Sequence, residues 1–177
     1  FFNVPVDNLH SRALLTEAFR EFDKTNLIVV APDAGSVKLT RNVASCLGVE
    51  FAVLDKLRVC DTEVQVVTVI GDLKGKDVLL ADDMCSTAGT LVSAAKACQE
   101  KGAKRIFCVV THGIFVGDSV EKIERSPIEK LLMCNTIPWT SRLNGSTKIA
   151  SISVAPLIGN AIRRMLARES VSSLSID

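Results

Sequence analysis

The sequence has no excess of charge of either sign and no apolar run long enough to cross a membrane. Its 21 basic and 20 acidic side chains give a formal net charge of +1, whereas proteins that bind nucleic acid or anionic membranes usually present a strongly basic surface. The longest apolar runs have the length of a strand, far short of the roughly 20 residues of a membrane-spanning helix. We therefore expect a soluble protein with no nucleic-acid or membrane partner, in which any anionic ligand is held by a local site.

The six cysteines include no C-x-x-C pair, and the chain has no repeat or low-complexity tract. Most of the cysteines lie inside apolar runs, which argues against zinc and against a disulfide framework. We expect reduced, mostly buried thiols in a cytoplasmic protein without a targeting leader. A chain of 177 residues that is 47% hydrophobic has the size of one compact domain. It opens at Phe1 with apolar residues, as though already inside a fold, so we expect a further segment to precede it.

Apolar runs of strand length alternate along the chain with segments of helical periodicity. The pattern predicts strands at 27–31, 50–54, 64–70, 77–81, 104–110, 131–134 and 149–154, and helices at 37–47, 90–100, 118–124 and 157–166. A further helix is predicted to start after Asn8, and Gly48 and Gly102 are predicted helix ends. Continuous apolar strands that alternate with helices predict an α/β fold, a doubly wound, mainly parallel sheet with helices on both faces.

The segment VLLADDMCSTAGTL, residues 78–91, carries the clearest chemical signal. A buried strand ends on Asp82 and Asp83, and a predicted loop of small residues over 82–89 then opens a helix. Such a loop lets the backbone approach a phosphate at the helix N-terminus, while the two carboxylates suit sugar hydroxyls or a hydrated Mg²⁺. The residues alone leave one alternative open, a solvated loop whose aspartates only cap the helix.

This segment resembles the ribose 5-phosphate-binding signature of the phosphoribosyltransferase superfamily. Residues 2–9 (FNVPVDNL), 31–37 (APDAGSV), 111–115 (THGIF), 135–138 (NTIP) and 161–174 (AIRRMLARESVSSL) resemble, in that order, the ribose-phosphate pyrophosphokinases. The resemblance covers essentially the whole chain. It implies that residues 1–177 form a phosphoribosyltransferase-like domain, the C-terminal half of a two-domain enzyme. The implied activity is Mg²⁺-dependent transfer of the β,γ-diphosphoryl group of ATP to the C1 hydroxyl of ribose 5-phosphate, which gives phosphoribosyl pyrophosphate for nucleotide biosynthesis.

The resemblance also implies a role for residues in four segments. The implied ribose 5-phosphate site comprises Asp82, Asp83, Ser86, Thr87, Ala88, Gly89 and Thr90. The implied diphosphate and ATP site comprises Asp33, Ala34, Gly35, Ser36 and Lys38, with Asp33 as the ligand of Mg²⁺. Lys56 and Arg58, in a loop predicted over 55–63, match the family's catalytic loop, where mobile cations neutralise charge in the transition state. Ser170, Val171 and Ser172 match a segment of an allosteric site.

Each of these segments also has a simpler interpretation from the residues themselves. A D-x-G segment is often only a turn, a Lys-x-Arg pair is usually solvated, and serine-rich tails are often frayed. The chain also departs from the family pattern, which has a basic residue at Leu39 and an acidic one at Ser86. Lys38 or Arg41 would supply the missing positive charge. We expect His112 to have a structural role in a turn.

In the family, the adenine-binding residues and a metal-ligating histidine come from the N-terminal half and from neighbouring subunits of a hexamer. The resemblance therefore implies a homo-oligomer and an isolated chain that is inactive without that half. Two alternatives stay open: a phosphoribosyltransferase that consumes phosphoribosyl pyrophosphate, and a non-catalytic regulatory partner subunit. The absence of an evident base-recognition segment argues against the first, and the retention of Lys56, Arg58 and the acidic pair argues against the second.

Overall fold

The computed structural model of the chain describes residues 2–58, 65–138 and 141–174. Seven strands form one sheet in the order β3-β2-β1-β4-β5-β6-β7. All neighbouring strands are parallel except β2 and β3, which are antiparallel. The strands are β1 (Leu27–Ala31), β2 (Glu50–Arg58), β3 (Gln65–Ile70), β4 (Asp77–Cys85), β5 (Arg105–Gly113), β6 (Lys130–Cys134) and β7 (Ile149–Ile152). The predicted mainly parallel α/β fold is confirmed.

The described residues form five α-helices: α1 (Arg12–Glu17), α2 (Val37–Leu47), α3 (Gly89–Glu100), α4 (Ser119–Glu124) and α5 (Ala155–Leu166). Short 3₁₀ helices lie at Ser141–Leu143 and Ser172–Leu174. The core has two layers, one on each face of the sheet. Ile28 and Val30 of β1 pack in the layer of α3 and α4, whereas Leu27 and Val29 pack in the layer of α1 and α2. Every residue of β1 is buried because helices cover both of its faces.

The observed bounds of α2 agree with the bounds predicted from the sequence, whereas those of α1 do not. The helix α2 has the predicted bounds and ends at Gly48, whose φ of 70° is the left-handed conformation that favours glycine at this position. The helix predicted after Asn8 is the exception, since α1 begins only at Arg12 and ends at Glu17. Turns follow it, and Phe19 and Phe22 pack against the ring of Phe107 with centroids 5.9 and 5.0 Å apart.

Two loops predicted at the carboxyl end of the sheet are partly strand. Asp82 to Cys85 continue β4, and their pairing with β5 runs from Val110 to Gly113. The loop predicted from residue 55 is wrong for 55–58, which continue β2 in an antiparallel pair with β3; its remainder, 59–63, lies outside the described residues. Backbone pairing with a long neighbouring strand explains both extensions, since it outweighs the polar side chains that had predicted loops.

The cysteines in the described residues are free thiols, and the expected burial is confirmed for Cys85, Cys98, Cys108 and Cys134. Cys60 lies outside the described residues. Burial raises the pKa of the Cys98 thiol to about 12, so it stays protonated at neutral pH. Among the described segments, none of the helices has the length and apolar character needed to span a membrane.

Candidate functional site

Carboxylates from two strands meet at the carboxyl end of the sheet. Asp33 follows β1, while Asp82 and Asp83 lie near the end of the adjacent β4. All three line both of two adjoining cavities, of about 240 and 270 Å³. The first cavity is also lined by the loop 86–90, and the second by Gly35, Ser36 and Leu39. The structure thus brings the predicted ribose 5-phosphate loop and the predicted diphosphate turn together around one acidic cluster.

The loop that joins β4 to α3 is held from behind by the segment after β5. The Cys85 carbonyl accepts hydrogen bonds from the N–H groups of Ile114 (2.9 Å) and Phe115 (3.2 Å), and the Ser86 carbonyl accepts one from Val116 (3.0 Å). Ala88, which precedes α3, has a φ of 61°, a conformation that residues other than glycine rarely adopt. These contacts fix the loop around the first cavity before any ligand enters.

The N-terminus of α3 opens onto this loop. The first hydrogen bond within the helix runs from the Val92 N–H to the Ala88 carbonyl at 2.9 Å, so the N–H groups of the first turn have no carbonyl of the preceding turn to accept them. Gly89 and Thr90 of this turn are exposed, and both line the first cavity together with Thr87. Free N–H groups and hydroxyls at a helix N-terminus form a favourable site for a phosphate.

Cys85 stabilises the loop from the core side. Its thiol is buried, and this burial raises its pKa to about 12. The thiol is therefore neutral at physiological pH and unsuited to nucleophilic chemistry. We assign it a structural role, because it lies with Ala88 in the same buried core layer.

The turn at Asp33 is both a structural cap and part of the cavity wall. The Ser36 N–H donates to Asp33 Oδ1 at 3.0 Å, and the Ser36 hydroxyl donates to the Asp33 carbonyl at 3.0 Å. A side chain at position 35 would begin 3.3 Å from Asp33 Oδ1, a tight contact that would push this carboxylate by a few tenths of an ångström. Because no described residue hydrogen-bonds to Oδ2, the capping role leaves that oxygen available to a ligand.

Negative charge is concentrated at this edge of the sheet. Burial, together with the charges of Asp33 and Asp83, raises the pKa of Asp82 to about 6, although the Asp83 N–H donates to Asp82 Oδ1 at 2.9 Å and opposes the shift. Asp83 itself is exposed to the cavities. Carboxylates held this close together favour a ligand that brings hydrogen-bond donors or positive charge.

Mg²⁺ is the metal that the family implies, and the chemistry of these oxygen donors fits it. The described residues contain no group of three or more side chains positioned as a complete metal site. Mg²⁺ commonly binds proteins through only one or two carboxylates and takes its other ligands from substrate phosphates and water. Asp33, which lines both cavities, is suited to such a role, and so is Asp83.

The predicted catalytic residues Lys56 and Arg58 lie in β2, paired with β3, rather than in a loop. Ala31, the last residue of β1, pairs with Val53 of β2. Lys56 lies three residues farther along β2, about 10 Å beyond the end of β1 at the rise of a strand, and is paired through its backbone with Val67. Arg58 pairs with Gln65. The paired strands β2 and β3 therefore extend past the end of β1, which Asp33 follows.

The other predicted residues occupy distinct places. Lys38 lies in α2 and lines a third cavity, next to the second. His112, expected in a turn, lies in β5; its Nδ1 is 2.8 Å from the Thr136 hydroxyl, which donates to the Thr111 carbonyl at 3.0 Å, and these contacts support a structural role. The segment 170–172 follows α5 and bonds mainly to itself and to Arg164. Among the described residues that line these cavities, none comes from it.

The third cavity was not predicted from the sequence. It has a volume of about 740 Å³, and residues 8–12 form one of its walls. Periodicity had placed this stretch at the start of an amphipathic helix, where a polar residue is usually an exposed one. Its position over the strand ends depends on long-range packing, which local periodicity does not reveal.

Comparisons with known proteins place this arrangement in a family. A family model, the phosphoribosyl synthetase-associated domain, matches residues 57–175. The chain is 44% identical to a ribose-phosphate pyrophosphokinase of Aquifex aeolicus, over 98% of this chain and 56% of the relative. It is 38% identical to ribose-phosphate pyrophosphokinase A of Dictyostelium discoideum, over 100% of this chain and 56% of the relative.

A solved structure agrees with these matches. The crystal structure of a phosphoribosylpyrophosphate synthetase from Mycobacterium smegmatis superimposes with a TM-score of 0.84 at 31% identity, covering 94% of this chain and 54% of that one. The chain spans about half the length of the curated relatives it matches. From the family match, the sequence identities and the shared fold, we conclude that the chain belongs to the ribose-phosphate pyrophosphokinase family.

Proposed function

We propose that this chain is the C-terminal half of a ribose-phosphate pyrophosphokinase and supplies its ribose 5-phosphate and diphosphate loops. The proposed reaction transfers the β,γ-diphosphoryl group of ATP to the C1 hydroxyl of ribose 5-phosphate. One observation carries the proposal: the phosphate-type loop 86–90 and the Asp33 turn line adjoining cavities that share the same carboxylates. Acceptor and transferred group would then meet at Asp82 and Asp83.

The loop 86–90 would hold the 5-phosphate of the acceptor. Its backbone is fixed by the segment 114–116, so binding needs little ordering of the chain. The N–H groups of the first turn of α3 and the hydroxyls of Thr87 and Thr90 would donate to phosphate oxygens. The carboxylates of Asp82 and Asp83 would accept hydrogen bonds from the ribose hydroxyls and so orient C1 toward the second cavity.

The turn 33–36 would hold the diphosphoryl group, and Asp33 would hold Mg²⁺ in the cavity whose wall also includes Asp83. When bound, the metal would neutralise part of the phosphate charge. The chain's own contribution is the tight turn at Gly35, which lets the backbone approach the phosphates closely. Without such neutralisation, the phosphates would face carboxylates across both cavities.

Lys56 and Arg58 would stabilise the charge that develops on the transferred group. Their strand passes beyond the end of β1 on the side where the diphosphoryl group would bind. Phosphoryl transfer needs little covalent work from a protein, and positioning together with positive charge supplies most of the catalysis. This account requires no general base at the C1 hydroxyl.

The rest of the proposed enzyme lies outside this chain. An N-terminal half and neighbouring subunits of a homo-oligomer would provide the adenine site, consistent with a chain that spans about half of its relatives. The Ser170, Val171 and Ser172 segment would contribute to an allosteric site between subunits. We place the enzyme in the cytoplasm, where free thiols stay reduced.

The test is an assay of the full-length protein that contains this chain, with ribose 5-phosphate, ATP and Mg²⁺ as substrates. Formation of phosphoribosyl pyrophosphate and AMP is expected, with a large loss of rate in Asp33→Asn. Asp72→Asn is the matched control, because this exposed aspartate lies just before β4, at the opposite edge of the sheet. Consumption of phosphoribosyl pyrophosphate with a nucleobase, and no synthesis of it, would instead make the protein a phosphoribosyltransferase.

A further inference from the structure

A single carboxylate fastens the segment before β7 to the helix α4. Glu124, the last residue of α4, accepts hydrogen bonds from the hydroxyls of Ser146 (2.6 Å) and Thr147 (3.0 Å). It also accepts hydrogen bonds from the N–H groups of Thr147 (3.1 Å) and Lys148 (3.2 Å). The segment 146–148 therefore depends on one negative charge for its attachment to α4.

A tight turn precedes this attachment. The Ser146 N–H donates to the Leu143 carbonyl at 3.1 Å, which places Asn144 and Gly145 at the corner of the turn. Gly145 has a φ of 89°, in the region that favours glycine. Leu143 is buried, whereas Asn144 and Gly145 are both exposed. The corner of the turn is thus open to water while its start is anchored in the core.

The pair Asn144-Gly145 has a reactivity that depends on the glycine. The Gly145 nitrogen and the side-chain amide carbon of Asn144 are separated by the number of bonds that gives a five-membered ring on closure. A side chain on the following residue usually hinders this approach, but glycine has none and its backbone rotates easily. A Cβ at position 145 would meet no atom within 4 Å, so the neighbours leave room for the rotation.

The attacking nitrogen is also not engaged by the fold. The Gly145 N–H donates no hydrogen bond to any residue that the structure describes. Ring closure therefore does not require the loss of a described hydrogen bond at this nitrogen. Asn144 is the one asparagine of the sequence that is followed by glycine.

We propose that Asn144 is a site of spontaneous deamidation in the folded protein. The Gly145 nitrogen loses its proton and bonds to Cγ of Asn144, the bond from Cγ to Nδ2 breaks, and ammonia leaves a succinimide ring. Water then opens the ring at either carbonyl, which gives aspartate or isoaspartate. Water is the only co-reactant, and no electrons are transferred. The proposal does not rest on the proposed function.

Both products should weaken the attachment of the segment to α4. Each adds a carboxylate at position 144, in the same turn as Ser146, whose hydroxyl is bound by the carboxylate of Glu124. Like charges that lie close together repel each other. Isoaspartate also lengthens the main chain inside a turn whose ends are joined by a hydrogen bond. The modification therefore opposes the contact that holds the segment 146–148.

Two other exposed asparagines are internal controls for the reaction. Asn26 precedes the bulky Leu27, and its Nδ2 donates to Asp23 Oδ2 at 3.0 Å. Asn135 precedes the β-branched Thr136, and its Oδ1 accepts the Val154 N–H at 2.8 Å. The following side chain hinders ring closure at both, so exposure alone should not lead to deamidation.

The experiment keeps the full-length protein that contains this chain folded, in mildly alkaline buffer made with water enriched in heavy oxygen. Samples taken over several weeks are digested in ordinary water, and the peptides are mapped by mass spectrometry. The peptide with Asn144 should show exchange of its amide for a carboxyl group that contains one heavy oxygen atom. Heavy oxygen separates this reaction from any deamidation during digestion. The peptides with Asn26 and Asn135 should stay unchanged, and so should Asn144→Gln, whose longer side chain would have to form a larger ring.

The effect on the attachment is measured by urea unfolding of Asn144→Asp and Asn144→Gln. Asn144→Asp should have the lower midpoint at low ionic strength, and added salt should reduce the difference. An Asn144 that reacts only after unfolding in urea, or that reacts no faster than Asn26 and Asn135, would overturn the proposed site. Equal midpoints of the two variants at low ionic strength would overturn the proposed weakening by charge.

Discussion

Asp82 should make the protein less stable as pH rises, because its carboxyl group is easier to ionise in the unfolded chain. Burial raises its pKa from an ordinary 3.8 to about 6 in the fold. Between these two values the folded state holds more protons than the unfolded state, so the free energy of unfolding falls as pH increases. The loss is complete above about pH 6 and is absent below about pH 4.

The size of the effect follows from the shift. The rise of the Asp82 pKa from 3.8 to about 6 corresponds to a loss of at most about 3 kcal/mol in the free energy of unfolding. The carboxyl is only partly buried, and solvent screening reduces such energies strongly, so we expect about 1 kcal/mol. Asp82→Asn removes the ionisation but keeps an oxygen that can accept the Asp83 N–H. This variant should be about 1 kcal/mol more stable than the parent at pH 7 and equally stable near pH 4.

Urea unfolding of the parent, Asp82→Asn and the control Asp72→Asn, followed across this pH range, measures the difference. The control should keep the full pH dependence of the parent. Two results would refute the claim that negative charge at this site is unfavourable. Asp82→Asn would be less stable than the parent at pH 7, or its free energy of unfolding would fall with pH as steeply as that of the parent. The stabilising variant should also bind ribose 5-phosphate more weakly, since the same carboxylate is proposed to hold the ribose.

Three further predictions concern the scaffold and the catalysis. Gly113→Ala should destabilise the protein by about 1–3 kcal/mol in urea melts, because the new methyl would lie within 2.4 Å of both Met133 Sδ and the Phe115 ring. The control Gly159→Ala adds a methyl in an open part of α5 and should not lower the free energy of unfolding. Equal effects of the two substitutions would contradict this reasoning. Lys56→Ala in the full-length enzyme should lower turnover by a factor of roughly 10²–10³ with little change in substrate affinity, as measured by steady-state kinetics. A raised KM with unchanged turnover would show that Lys56 contacts the substrate only in the ground state. The isolated chain should show negligible synthesis of phosphoribosyl pyrophosphate in a product assay although it folds, and turnover near an ordinary enzymatic rate would contradict a site split between two halves.

The sequence predicted the fold well because its strongest signals are local or periodic. The run at 27–31 and the helix at 37–47 were predicted with their exact bounds, since continuous apolar residues and the stop at Gly48 determine both. The antiparallel pairing of β3 with β2 was not predicted. The sequence between the two strands contains no distinct signal for their relative direction.

The candidate site was predicted as a set of segments but not as a geometry. The pattern of Asp82 and Asp83 after a buried strand indicated a ligand site, yet it predicted a loop where the structure continues β4. The length of the pairing between β4 and β5 depends on both strands, so it could not be predicted from residues 78–91 alone. The third cavity was not predicted for a related reason: residues 8–12 line it together with segments far apart from them in the chain.

The most direct test of the central claim is calorimetric titration of ribose 5-phosphate into the parent chain, Asp83→Asn and the control Asp72→Asn. Asp83 is exposed at the end of β4 and lines both site cavities, so its substitution should leave the thermal melt unchanged. We predict that the parent and the control bind alike and that Asp83→Asn binds roughly tenfold or more weakly, the loss expected for hydrogen bonds to a charged group. Equal affinity of all three proteins would contradict the account, because Asp83 would then have no part in holding the ribose.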